Sequence, residues 1–374
     1  MAGNDNGKHI TLRSGAMSAR SEKIVPDRVV INPVPYVVTI AGIVAALYYG
    51  AAVFRPLALA ILLSVLLTAS AENLQKISLG GWHLRKWMAM TISIGFVVLA
   101  LLLFVQILSG QANDVAAAWP RYVARLEAIL AGLASWLHED VAGQVRTQFA
   151  QLDLSSSITT IASKTGSILA DIVVTGLYVA FILSSKGSFT VKLETLFPNK
   201  KDHVGVKRII SAAVTSIRKY LLIKTIMSVV TGILSYTVLK MLGVDFAETW
   251  ALLIFLLNYI PTVGSILGVV FPAVLALVQF DTLGPFLVIA VLLSAAQFAI
   301  GNVIEPIFMG KVLNLSSVVV IIALSLWGSV WGIVGMFMSV PITVVLMIMC
   351  AHIPNLKWIA VLLSEDGKLA EAPA

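Results

Sequence analysis

Long apolar runs broken by short polar stretches dominate the chain from Tyr36 onward, and their lengths predict membrane helices. A crossing takes about 20 predominantly apolar residues. Such runs cover Tyr36–Phe54, Leu57–Ala71, Trp87–Leu108, Ile168–Ser184 and Leu221–Leu242, with Arg55-Pro56 read as a tight turn between the first two. Trp250–Phe280 is interrupted by NYIPTVG (Asn258–Gly264), Phe286–Ile304 forms a seventh run, and Leu315–Cys350 is too long for one straight crossing. The pattern predicts an all-α integral membrane protein with about eight transmembrane helices, two of them broken or re-entrant.

Two connecting segments carry helical periodicity of their own. Trp119, Tyr122, Leu126, Ile129, Leu133 and Trp136 recur at three- and four-residue steps, which predicts an amphipathic helix in segment 110–166. Its aromatic content suits a membrane interface, and a partner helix in the same subunit explains it equally well. Val206, Ile209, Ile210, Val214 and Ile217 repeat the pattern more weakly in the basic loop 186–219, whose charged face suits anionic lipid. The resulting plan is a tail at 1–35, three spans in 36–109, the amphipathic segment 110–166, five spans in 167–350 and a tail at 351–374.

Composition sharpens the class. Of 374 residues, 59% are hydrophobic and 12% charged, against about 25% charged in soluble domains, so apolar surface must face lipid or other spans. The net charge of +7 resides in loops and does not point to nucleic acid. Lys and Arg crowd the N-terminal tail, the 76–86 loop and 186–219, whereas 110–166 holds only Arg121, Arg125, Arg146 and Lys164 against five acids. The positive-inside rule therefore assigns both termini to the cytoplasm and 110–166 to the outside. Residues 1–30 lack the basic-then-apolar pattern of a cleaved signal, so the first span is expected to serve as an uncleaved one.

Soluble-enzyme chemistry has no foothold in the sequence. Cys350 is the single cysteine, which excludes an intrachain disulfide and a thiolate metal cluster and reads as a small buried hydrophobe. The histidines His9, His83, His138, His203 and His352 are scattered over tails and loops and suggest no metal site. GxGxxG, P-loop, HExxH and GxSxG motifs are missing. The reading is no enzyme, no cofactor and no ATP hydrolysis, so any movement of solute draws on a gradient or on a separate subunit.

Polar and helix-breaking residues inside apolar runs are the candidate chemistry. Irregular backbone at membrane depth survives where protein buries it or water lines it, and secondary transporters use broken helices to face a midplane substrate. LLNYIPTVGSILGVVFP breaks at Pro261 and Gly264, and SLWGSVWGIVGMFMSVP carries Gly328, Gly332, Gly335 and Pro341. The two segments end alike, in GVVFPAVLAL and GMFMSVPITVVL, a hint of an internal repeat. Kinking and close packing alone also explain such residues.

Between them lies QFAIGNVIEPIFMGK. On a helix Gln297, Gly301, Glu305 and Phe308 share a face, with Asn302 and Pro306 one position round, and Gln297 and Glu305 stand about 12 Å apart. A carboxylate at depth faces a cavity and marks a pathway. Alternatively, Glu305-Pro306 ends the helix near the outer interface, where Lys311 pairs with the carboxylate. The site is expected to use Asn258, Tyr259, Thr262, Gln297 and Asn302 to hydrogen-bond a small polar solute. Pro261, Gly264, Pro306, Gly328, Gly332, Gly335 and Pro341 would break or gate the helices, and Glu305, Lys311 and Asp171 would gate or couple to a proton or sodium ion. A cation/proton antiporter built on Glu305 and Asp171, and a non-transporting scaffold docking through 110–166, are the competing readings.

The order IPTVG, then Q…GN…EP…MGK, then LWG…GIVGMFMSVP resembles the autoinducer-2 exporter family, also called PerM-type permeases, over about 36–363. The tail IAVLLSEDG is similar to the branch containing the autoinducer-2 exporter. The resemblance implies eight spans, a homo-oligomer (a pentamer), a bacterial inner membrane, and ATP-independent transport of small polar solutes. Autoinducer-2, the quorum-sensing signal, is the substrate it implies first, with sodium or proton antiport in other members. By position, the family's IPxxG falls on Ile260, Pro261 and Gly264, its span-seven residues on Gln297, Asn302 and Pro306, and its Gly-Lys/Arg pair on Gly310 and Lys311. This chain departs from the family at Ile300, where many members carry an acid, and at Ser316-Ser317, where many carry His-Pro. The first departure argues against cation antiport unless Glu305 and Asp171 replace the missing acid.

Overall fold

In hydrocarbon a backbone amide has no water to bond, so each apolar run must close its hydrogen bonds internally. The computed structural model describes residues 34–76, 84–134, 170–310 and 313–368, and helices make up nearly all of them. The chain divides into two units, Met1–Ile43 and Val44–Ala374, and the packing described below lies within the second.

Helices α1 (Val34–Tyr49) and α2 (Ala51–Lys76) are separated by Gly50 alone. Its N–H donates to Ala46 O at 2.8 Å and its carbonyl accepts the Phe54 N–H at 3.0 Å. The expected turn at Arg55-Pro56 is therefore corrected: both residues lie inside α2. Proline costs a helix chiefly the bond its missing N–H would make, and the neighbouring turns of α2 hold the segment helical.

Two helices run far past the bilayer. Helix α3 (Lys86–Ala134) has 49 residues, about 73 Å at the usual rise, and so joins the third span to the amphipathic stretch without a break. The bend at Ser185 separates α4 (Ala170–Ser184) from α5 (Lys186–Leu196) by 61°. Helix α6 (Lys200–Met241) likewise carries the basic loop straight into the fifth span. The extension of α3 lies on its own chain. The Tyr122 hydroxyl and Arg121 Nη2 donate to Asp245 Oδ2 at 2.6 and 2.7 Å, and Arg125 Nη2 donates to Asp281 O at 2.9 Å. Of the two explanations for its amphipathic face, the intrasubunit partner holds at these residues; Trp136 lies outside the described residues.

Both interrupted runs are hairpins. Helix α7 (Ala247–Leu257) folds back on α8 (Val263–Gln279). Trp250 faces Phe271 with ring centroids 6.2 Å apart, a Cβ on Gly268 would meet Ile254, and the Gln279 amide ties the base to Gly243 O and the Asp245 N–H. Helix α9 (Leu283–Phe298) passes through a π-helical turn, Ala299–Ile304, into α10 (Glu305–Met309). Helix α11 (Ser317–Trp331) then folds back on α12 (Ile333–His352) through Gly332 at φ 65°. A short 3₁₀ turn, Pro354–Leu356, leads to α13 (Lys357–Leu363).

The closures repeat one device. A residue with positive φ precedes each second helix, Thr262 at 61° and Gly332 at 65°, and a glycine follows at the point of closest approach. A Cβ on Gly264 would fall 1.8 Å from Leu257 O, and one on Gly335 would fall 1.8 Å from Trp327 O, so only glycine fits either turn. This likeness pairs Gly264 with Gly335 and is separate from the resemblance of GVVFPAVLAL to GMFMSVPITVVL in the sequence. The tips meet, with Tyr259 stacked on Phe337 at 4.9 Å.

Five helices among the described residues are long and apolar enough to cross a membrane, six if the bent α4–α5 pair is one span; α7, α8 and α11 are shorter apolar helices. Because α7–α8 returns to its starting end, α9 runs away from the end where α3 docks. Glu305 lies about 33 Å from Leu283 along the helical path through the π turn. The core around the second hairpin includes Trp331, whose Nε1 donates to Leu47 O at 2.9 Å. Past α13 the chain pairs with the segment before α11: Ser316 N–H bonds Leu363 O, Glu365 N–H bonds Asn314 O, and Asn314 Nδ2 donates to Asp366 Oδ1 at 2.9 Å.

Candidate functional site

The tip of the α7–α8 hairpin stops partway through the bundle. Asn258 lies about 16 Å from the start of α7, and the tip residues leave helical geometry there. Backbone freed at such depth has to face protein or a polar cavity. A cavity of about 540 Å³ opens against it, within the size range of small-ligand pockets, lined by Lys224, Asn258, Pro261, Thr262, Ser265, Ser294, Gln297, Gly301, Asn302 and Glu305 among apolar residues such as Val269 and Phe298.

Three elements furnish its polar wall. The hairpin tip supplies Asn258, whose Nδ2 donates to Ser228 Oγ at 3.0 Å and is buried. Helix α9 supplies Gln297, only 6% exposed, and its Nε2 has no hydrogen-bond partner among the described residues. Gly268 permits this approach, since a Cβ there would sit 3.1 Å from that nitrogen. The π turn then carries Gly301 and Asn302 along the cavity. A π turn is rare and recurs at functional sites, and here it ends two positions before Pro306, which has no N–H to continue an α-helical ladder.

The third element is α6, and its contribution is an ion pair. Lys224 Nζ donates to Glu305 Oε1 at 2.7 Å and Oε2 at 2.9 Å, with side chains 7% and 15% exposed. Two desolvated charges attract strongly but give up hydration that costs several kcal/mol each, so such a pair is weak evidence for a purely stabilising role. Glu305 sits where the π turn passes into α10, which continues to Met309, and its partner is Lys224. Lys311, the partner expected from sequence, lies outside the described residues.

The other expected residues divide cleanly. Asn258, Pro261, Thr262, Gln297, Asn302 and Glu305 line the cavity. Tyr259 does not: its hydroxyl bonds Thr225 Oγ1 at 2.7 Å and its ring lies between Phe255 and Phe337, so it supports the tip from behind. Gly264 shapes the turn, and Gly328, Gly332, Gly335 and Pro341 belong to the second hairpin, away from the cavity. Asp171 is exposed on α4 and does not line the cavity.

Lys224 is the residue that sequence reasoning passed over. It lies inside the apolar run Leu221–Leu242, three positions from its start, and its position alone assigns it no role. The available signal was a stripe at helical spacing: Tyr220, Lys224, Ser228, Thr231 and Ser235 are all buried along one side of α6. Polar residues in step through an apolar run mark the side of a span that faces protein or cavity.

The comparisons with known proteins bear on the same region. Residues 37–355 match the AI-2E family transporter model. The AI-2 transport protein TqsA of Escherichia coli K12 is 28% identical over 330 residues, covering 87% of this chain and 93% of the relative. The putative transport protein YhhT of the same organism is 27% identical over 327 residues, covering 85% and 90%. A putative transport protein of Borreliella burgdorferi is 36% identical over 197 residues, about half of each chain. Matched from the first described helix to the last long one, the chain belongs to the AI-2E transporter family.

Proposed function

We propose that this membrane transporter moves a small, hydroxyl-rich solute through the cavity at the α7–α8 tip without ATP, and that autoinducer-2 is the solute. Asn258, Thr262, Gln297 and Asn302 hydrogen-bond its hydroxyls, Pro261 and Gly264 hold the tip, and Glu305 closes the far side. The carrying observation is Gln297, which lines the cavity and whose Nε2 is buried without a partner among the described residues. A buried donor left unbonded costs about 1–3 kcal/mol, and an entering hydroxyl removes that cost. The name of the TqsA relative supports the choice of autoinducer-2. In this reading the protein is a carrier rather than an enzyme, working as a homo-oligomer (a pentamer) in the bacterial inner membrane with both termini cytoplasmic.

The test is counterflow of radiolabelled autoinducer-2 in proteoliposomes. Gln297→Ala and Asn258→Ala are each expected to lower flux at least about tenfold, the loss of one or two hydrogen bonds, while Asp171→Asn leaves it unchanged. Absence of flux in the unmodified protein rejects the substrate.

Cation/proton antiport remains the second reading because one carboxylate, Glu305, lines the cavity. It requires cation-driven proton release from loaded vesicles that Glu305→Gln abolishes. The scaffold reading has less support, since the Tyr122 side of the α3 extension is occupied by Asp245 of the same chain.

A further inference from the structure

We propose that the Lys224–Glu305 ion pair is the charge filter of the cavity, so that the paired site accepts solutes without net charge and either half, left alone, selects the opposite charge. The inference rests on the proposed transport site and adds Lys224 and Glu305 to it as specificity-determining residues.

The geometry carries the argument. Both groups line the cavity and both are largely withdrawn from solvent. The ammonium has three N–H donors; two meet the carboxylate oxygens and the third has no partner among the described residues. The carboxylate keeps lone pairs beyond the two it uses, so the pair offers donor and acceptor together while summing to zero charge. The rest of the polar wall is amide and hydroxyl: Asn258, Thr262, Ser265, Ser294, Gln297 and Asn302. Among the described residues nothing else charged lines this cavity. An entering anion or cation would shed its hydration and find each countercharge already taken. A neutral hydroxyl-bearing solute needs no countercharge. Discrimination of this kind works by rejecting the wrong partner rather than by gripping the right one.

A structural bolt between α6 and α10 would give the same distances, so the test reads charge preference, not only stability. Binding to the purified protein is measured by equilibrium dialysis with two probes that differ in charge: erythritol, a neutral polyol, and erythronate, the corresponding hydroxy acid. The unmodified protein is expected to prefer erythritol. Glu305→Gln, which frees Lys224, shifts the ratio towards erythronate by at least about tenfold, as expected for one poorly screened charge. Lys224→Gln shifts it the other way by a similar factor. Removing one partner of a buried pair is costly for folding, so the exchanged variant Lys224→Glu/Glu305→Lys is included; it restores neutrality and should recover the preference for erythritol.

A preference of the unmodified protein for erythronate, an unchanged ratio in both single variants, or no saturable binding of either probe overturns the proposal. Charge-dependent binding without flux in proteoliposomes leaves the filter standing and rejects the transport reading. Flux with a ratio indifferent to both substitutions does the reverse.

Discussion

Gly264 and Gly335 each stand where a methyl group would collide with a carbonyl oxygen of the preceding helix, Leu257 O and Trp327 O respectively. Neither oxygen can retreat without unwinding its helix. Gly264→Ala and Gly335→Ala are each expected to destabilise the protein by at least about 3 kcal/mol, the upper part of the range for overpacking. Gly95→Ala, with open space around it, should be neutral or slightly stabilising because alanine is the better helix former. Thermal melting in detergent checks all three, and a Gly264→Ala protein that melts with the unmodified one contradicts the close approach. Gln297 illustrates the opposite case, in which a side chain is held by packing and its polar atom is left over.

At the scale of elements, the docking of α3 rests on Tyr122. Burial pushes its hydroxyl up to about 12 from an ordinary 10.0, and the hydrogen bond to Asp245 works in the same direction. The folded state thus favours the protonated phenol. This contribution is complete below pH 10 and is lost as pH rises towards 12. Hydrogen exchange along residues 115–130 should accelerate across that window, and Tyr122→Phe should remove the alkaline step; a variant that keeps it places the titration elsewhere. Helix positions were legible in the sequence because bilayer thickness dictates run length. The breaks at Asn258–Gly264 and Gly328–Gly335 were legible too, since polar and glycine residues interrupt a uniform background. Their direction was not. Whether a broken run continues or doubles back depends on tertiary packing, here Trp250 on Phe271 and Ile254 beside Gly268, and spacing in one sequence carries no record of it. Lys224 was hidden for a related reason: its meaning depends on Glu305, a residue on another helix.

For the whole molecule, the hairpins set the topology. If α7–α8 crossed the membrane, residues 245 and 281 would face opposite sides; as a hairpin it returns both to the end where Arg121 and Arg125 bind. In a Cys350→Ser background, single cysteines at Glu248 and Asp281 should react with an impermeant maleimide from one side. A cysteine at Glu365 should react from the other. Labelling of positions 248 and 281 from opposite sides would refute the hairpin. The two hairpins enter from opposite ends and touch through Tyr259 and Phe337, and the continuous helix α6 ties to the first tip through Ser228 and Thr225.

Binding at the proposed site around Gln297, whose Nε2 has no partner among the described residues, would also link occupancy to lifetime. A molecule that binds only the folded protein stabilises it by mass action, by about 2.7 kcal/mol at a hundred times its dissociation constant. The vacant protein is accordingly the form that unfolds and is degraded first. A cell rich in the solute would keep its carriers longer than a cell without it, so the pool of transporter would follow the supply of cargo with no change in its synthesis.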